Sequence, residues 1–363
     1  MAKEARRARL QVLGLLGIGL AGGTLLWAFR DCDLTRVAAL LKRVGVAGVL
    51  ILVPQLLSLF VESVGWRMAF ERMGRKLPLA GLFRARLATE ALAQTLPMGV
   101  VVSESMKPLL LAKSCGAELS TSLAGMAARK WLLAGSQGLC VMAFACWGFP
   151  VLTRISASVL GFEGLPYLLM GVAVLLLLLA DVSHSLFAQG RVAARLHGLL
   201  TKLPWAWLRA RLVPLQSRFV ATDGRLRAFF ATAWTSPGPL FTFLLVWLLE
   251  VADTLLILYL LGVQLPWTTV GALEVSVSFL RNVVFMVPAG LGVQDLGYLT
   301  FLRALQVPEV LNVAAAFLLL KRSKECFWAI VGYVILALEL RPQVMVPGLT
   351  SRMPGPEIQP QLP

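Results

Sequence analysis

Long apolar runs follow one another along this chain, interrupted by single charges rather than by charged faces. Leu10 to Phe29, Pro166 to Ala180 with its flanks, and Leu240 to Leu261 are the clearest. Each approaches the ~20 residues that cross a hydrocarbon core of about 30 Å, so each predicts a membrane-spanning helix. Counted along the chain, such runs predict about eight membrane segments. The first is too long and continuous for a secretory leader, and no small-residue cleavage site follows it, so it reads as a retained span. Between Arg30 and Arg43 the pattern changes. Leu34, Val37, Ala38, Leu41 and Val44 recur at helical spacing among basic residues, which predicts an amphipathic helix lying flat at the interface.

Two of the runs break in the same way. Residues 96–107 read LPMGVVVSESMK and residues 287–296 read VPAGLGVQDL. Pro97 and Gly99 correspond to Pro288 and Gly290, and Glu104 to Asp295, at an offset of 191; Glu118/Glu309 and Lys130/Lys321 keep that offset. Upstream, Glu62/Glu250, Gly74/Gly262 and Leu77-Pro78/Leu265-Pro266 keep an offset of 188. The ordered matches predict a duplication: repeat one over about 45–150 and repeat two over about 238–340, with a three-residue insertion between Pro266 and Pro288 that reconciles the two offsets. Proline and glycine free backbone groups that hydrocarbon cannot satisfy, so such breaks belong where protein or a polar cavity surrounds them. The arms Leu79–Leu96 with Val100–Lys113, and Thr268–Val287 with Leu291–Arg303, fit two helical hairpins. Re-entrant hairpins and full spans joined by tight turns give the same net topology.

Charge orients the halves. The formal charge is +15, and residues 191–227 hold eight arginines and lysines against the single acid Asp223. Short basic loops stay cytoplasmic, so the loop at about 189–237, the N-terminal Lys3 to Arg9 and the stretch Arg67–Lys76 all predict the cytoplasmic side, as does the C-terminus. The two repeats then run antiparallel, an inverted repeat of the kind transporters use, with sites at broken helices near the midplane. Trp205 and Trp207 among the basic residues predict contact with anionic inner-leaflet lipids rather than nucleic acid.

Composition changes the picture only by exclusion. With 58% hydrophobic and 15% charged residues among 363, a soluble all-α protein is excluded. The five cysteines and two histidines show no metal or redox spacing, and no nucleophile elbow, phosphate loop or dinucleotide fingerprint occurs. No cofactor, metal or catalytic residue is expected. The fold class is therefore all-α, a polytopic membrane protein with one domain over 1–340 and a disordered Pro-rich tail over 341–363.

The charges inside apolar runs carry the candidate chemistry. Glu62, Glu90, Glu104, Glu250, Asp253, Glu274, Arg281 and Asp295 each cost about 2.5–3.5 kcal/mol at a helix centre, unless paired or exposed to a polar path. Glu104 with Lys107, and Glu250 with Asp253, share helix faces; Lys321 and Glu325 are four apart. One reading makes these packing pairs, the other a pocket for a hydrophilic head group. Glu90 and Arg281 each lie seven residues before their proline. They either pair across the repeat axis or face separate neighbours such as Arg84 and Glu274.

LPMGVVVSESMKPLLL resembles the Pro-x-Gly … Glu-x-x-(Lys/Arg) block of the transmembrane region of lysylphosphatidylglycerol synthases, a flippase-like family with stand-alone members. VPAGLGVQDLGY followed by AAAFLLLKRSKE resembles its second block, and the resemblance spans roughly residues 10–340. The Gln-Asp and Lys-Arg details look most like the hopanoid-cluster branch. Asp295 stands where many relatives carry Glu, and no aminoacyl-transferase domain follows. The resemblance implies a bacterial inner-membrane lipid translocator, with Glu104, Lys107, Asp295, Lys130, Lys321 and Arg322 around a polar or charged head group. A lipid-modifying enzyme and a scaffold for a lipid or hopanoid pathway are the alternatives.

Overall fold

The computed structural model describes residue 23 and residues 29–96, 98–233, 235–283 and 290–341. Most of the first apolar run, Pro97, Pro288 and the tail beyond 341 lie outside the described residues. Among the described residues every regular element is helical.

Asp33 opens α1 (Leu34–Val44) by accepting from the backbone N–H groups of Thr35 and Arg36, a side-chain cap for otherwise orphaned donors. This is the amphipathic helix expected from the pattern, with Val37 and Val44 buried and Leu34 left exposed. A 3-10 turn (Gly45–Ile51) leads into α2 (Leu52–Arg72). Next come α3 (Leu79–Thr95), α4 (Gly99–Cys115), α5 (Leu119–Trp147) and α6 (Phe149–Leu160). After α7 (Leu165–Ala188), the basic segment folds as α8 (Val192–Thr201), α9 (Ala206–Leu212) and α10 (Gln216–Ala231). The last four are α11 (Gly238–Leu260), α12 (Trp267–Val283), α13 (Val293–Ala304) and α14 (Val310–Leu340).

By length and composition, three described runs suit a membrane crossing: Leu34–Arg72, Leu165–Ala188 and Gly238–Leu260. The pair α5 and α6, bent by 81°, makes a fourth if taken as one span. The helix α14, of 31 residues, is long enough but carries Lys321, Arg322, Lys324 and Glu325 at its middle.

The duplication is visible in the helix boundaries. An offset of 188 carries the end of α2, Arg72, onto that of α11, Leu260, and the start of α3, Leu79, onto that of α12, Trp267. An offset of 191 carries Leu119, which opens α5, onto Val310, which opens α14. Packing repeats as well: α2 on α3, α3 on α4 and α4 on α5 recur as α11 on α12, α12 on α13 and α13 on α14, while α2 packs against its own counterpart α11. No insertion interrupts α3 or α12, so the three extra residues fall after Val283. In that register Glu90 corresponds to Ser278, and Arg281 to Ala93. This corrects the equivalence read from distance to the prolines.

Contacts sort the connections into two ends. At one, Arg72 reaches Ser236, Glu118 takes both Arg75 and Arg225, and Arg84 pairs with Glu339. At the other, the N–H of Asp33 donates to Asn312 at 2.9 Å, and a cleft brings Arg43 to Gly262, Gln306 and Glu309. The hairpin α3–α4 therefore opens toward the first, basic end and α12–α13 toward the second. The repeats are inverted.

Candidate functional site

The two hairpin tips meet one cavity of about 310 Å³. Gly99 and Val100 reach it from α4, Gly290 and Gln294 from the second tip, and Glu62 and Glu250 from the middles of α2 and α11. Each tip is shaped by backbone that few side chains tolerate. Met98 holds φ 53° before α4, and Gly290 and Gly292 hold φ 62° and 80° before α13.

On the first-repeat side the sequence builds a continuous ionic network. Arg86, Glu90 and Gln94 stand four apart on one face of α3, which aligns them toward α2. Glu62, buried to 3%, accepts from Arg86 Nε at 2.7 Å on one oxygen and from Arg129 Nε at 2.6 Å on the other. Arg86 also pairs with Glu90, whose second oxygen accepts from Gln94 at 2.8 Å. One turn into α4, Glu104 Oε1 meets Lys107 Nζ at 2.6 Å, Lys130 Nζ at 2.8 Å and Arg129 at 3.5 Å. Lys130 keeps half of its side chain exposed toward the cavity, at 50%.

The second-repeat side is built differently. Asp295 is 1% exposed and spends both oxygens internally: one accepts the Gly292 N–H at 2.9 Å, closing the first turn of α13, and the other accepts from Arg322 at 2.5 Å. Arg322 also holds Glu325. Lys321 donates to Tyr298 Oη at 2.6 Å, and Glu274 accepts from both Tyr298 and Thr254. Lys324 pairs with Asp253. Glu250 and Arg281 approach only to 3.8 Å.

The expected residues therefore divide. Glu104, Lys107 and Lys130 line the cavity with Glu62, Glu90, Glu250, Arg281, Gly99 and Gly290. Lys321 and Asp253 line a small adjoining space of about 70 Å³, and neither Asp295 nor Arg322 lines either one. Glu90 and Arg281 share the wall without pairing, because Arg86 takes the first and Glu250 is the ion-pair partner of the second. The expected neighbours Arg84 and Glu274 pair elsewhere too, with Glu339 and Lys321. Lys321 and Glu325, four apart, likewise turn to other partners.

Sequence reading passed over Arg86 and Arg129, the two cations that hold Glu62. The signal was present: Arg86 stands four residues before Glu90, and Arg129 sits beside Lys130 in an apolar run. Five cations of the wall (Arg86, Lys107, Arg129, Lys130, Arg281) balance five carboxylates (Glu62, Glu90, Glu104, Glu250, Glu325). The amides of Gln55, Gln94, Asn282 and Gln294 fill out its polar lining. A wall like this can replace water around a charged group at mid-membrane depth, where hydrocarbon cannot.

Residues 14–320 match the family model described as the lysylphosphatidylglycerol synthase TM region. None of the curated proteins compared with the chain matches it.

Proposed function

The chain belongs to the lysylphosphatidylglycerol synthase transmembrane-region family, a family of membrane proteins, and from that premise we propose that it translocates a polar-headed lipid across the membrane. The cavity carries this reading. It lies where two oppositely opening hairpins meet, at the level of Glu62 and Glu250 halfway along their helices. Helices of 17 residues, such as α3 and α4, rise about 25 Å, short of the ~30 Å core, which supports re-entrant hairpins over full spans. A head group would enter the cavity while its tails stay in the bilayer, and Lys130, Glu104 and Lys107 would meet it first. The setting we propose is a bacterial inner membrane, with about eight membrane segments and the basic end cytoplasmic.

An enzyme using Glu104 and Asp295 as acid and base is less well supported. That chemistry needs both carboxylates on one substrate, and Asp295 is turned away from the cavity onto Gly292 and Arg322.

Reconstitution into liposomes with fluorescent lipids tests the proposal. The expected outcome is transbilayer movement without chemical change in the lipid, slowed at least tenfold by Glu104→Gln while the protein stays folded. Lipid turnover, or no movement above empty liposomes, would overturn it. Asp295→Asn should act differently, lowering thermal stability because the ion pair that ties α14 to the start of α13 is lost and Arg322 keeps only its bond to Glu325 among the two carboxylates.

A further inference from the structure

The two halves of the cavity wall carry the same acid in different company. Glu62 and Glu250 are equivalent, one on α2 and one on α11, at an offset of 188. Arg86 and Arg129 hold Glu62. Their counterparts in the second half are Glu274 (86 + 188) and Leu320 (129 + 191). Glu250 has thus lost both cations and gained a carboxylate neighbour.

Its surroundings do not make up the loss. From α12 it faces Arg281 and Glu274; from α14, Lys321, Lys324 and Glu325; from α3, Glu90; from its own helix, Asp253. The α5 helix brings Cys140 close, with Arg129 and Lys130 farther along the same cavity beside Glu62 of α2, Arg86 of α3, and Glu104 and Lys107 of α4, which pair among themselves; nearer by, α2 and the second tip offer uncharged Gln55, Ser58 and Gln294. Most of these charges are already engaged: Lys321 by Tyr298 and Glu274, Lys324 by Asp253, Glu325 by Arg322 and Glu90 by Arg86. Among the described residues Arg281 is the ion-pair partner left to Glu250, and 3.8 Å is too long for a hydrogen bond.

We propose that Glu250 is a proton-binding site whose protonation releases Arg281 to an anionic group on the lipid, so that one proton and one lipid anion cross together. The inference rests on the translocator reading. With Glu250 ionised, the five cations and five carboxylates of the wall balance. An anionic head group entering that wall adds an uncompensated charge in a poorly solvated space, which is strongly unfavourable. A proton taken by the Glu250 carboxylate from one aqueous face restores neutrality, and its release at the other face completes the transfer. No bond to the lipid forms or breaks. The side chain of Arg281 also lies beside Gly290, where a Cβ would meet its Cγ at 3.5 Å, so a change of partner at Arg281 reaches the hairpin tip directly.

The test uses proteoliposomes containing the full chain, NBD-labelled phosphatidylglycerol as the anionic probe and internal pyranine as the pH reporter. The expected result is lipid movement accompanied by proton movement in the same direction. Each unit of imposed pH gradient should bias the lipid distribution about tenfold, the ratio for one proton per lipid. Glu250→Asp should keep proton movement and the response to the gradient, and any lipid that still crosses in Glu250→Gln should do so without either. Wild-type movement that ignores the gradient and carries no protons would overturn the coupling and leave the translocator reading intact. Coupling that survives in Glu250→Gln would overturn the assignment to Glu250. Absence of any lipid movement in the wild type would remove both.

Discussion

Glu62 sits at 3% exposure, and only its two arginines make that tolerable. Arg129 does double duty, reaching Glu104 as well, so it ties the middle of α2 to the start of the first hairpin's second arm. Arg129→Gln should therefore cost roughly 3 kcal/mol, because an acid in the interior loses half its compensation. Adding Glu62→Gln should recover part of that loss, a non-additivity visible as a partial return of the thermal unfolding midpoint in detergent. Additive losses would show that the two side chains are not coupled. Sequence reading found the acids of this network but not Arg86 and Arg129, since a lone arginine in an apolar run shows no partner until the helices are packed.

Between elements, small residues set how closely the halves approach. Gly332 of α14 lies against α3, where a Cβ would come within 2.7 Å of Ala91 Cβ and closer still to the Leu87 carbonyl. Gly332→Ala should push these helices apart and cost about 1–3 kcal/mol. Gly171→Ala on α7, with nothing within 4 Å, should be neutral or mildly stabilising; equal effects at the two sites would contradict the packing. The basic segment is held to the body by charge. Glu118 accepts from Arg225 at 2.7 Å and pairs with Arg75, and the Arg225 hydrogen bond, more than the nearby charges, holds its carboxyl below the usual carboxylate range. A depressed acid stabilises fully at neutral pH and loses its contribution as pH falls through the depressed value. The hydrogen-exchange protection of α10, taken relative to the intrinsic amide rate at each pH, should therefore hold from neutral pH down to about 4.5 and weaken only below it. Glu118→Gln should remove that dependence.

At the scale of the molecule, the two ends defined by contact coincide with the charge asymmetry of the sequence. Residues 67–76 and 191–237 share one end, and the α11–α12 connection lies at the other. Ser217 and Gln264 are exposed at opposite ends. With the five native cysteines replaced, Ser217→Cys should resist a membrane-impermeant thiol reagent in intact cells, and Gln264→Cys should react. The reverse pattern would invert the proposed orientation. Asp223, the acid of the basic segment, would be a poor probe. It is buried, accepting the N–H groups of Ala193 and Ala194 at 2.8 Å each, and so caps α8 instead of facing solvent.

Periodicity by itself determined the helical class, the repeated Pro-x-Gly pattern pointed to the duplication and the first hairpin's arms, and the resemblance of two short motif blocks pointed to the family. These are local or repeated signals, and a helix satisfies its own backbone wherever the chain carries it. Partner choice was decided by the tertiary structure. Glu104 and Asp295 match in register, yet one lines the cavity and the other is a buried cap, because Arg322 reaches Asp295 from α14 whereas the equivalent position on α5 is Trp131, whose indole N–H donates to the Ala180 carbonyl on α7. The three-residue offset likewise passed Glu90's equivalence to Arg281 at the level of sequence. Only the unbroken helices α3 and α12 moved it to Ser278, since a regular helix has no room for an insertion that a hairpin tip absorbs freely.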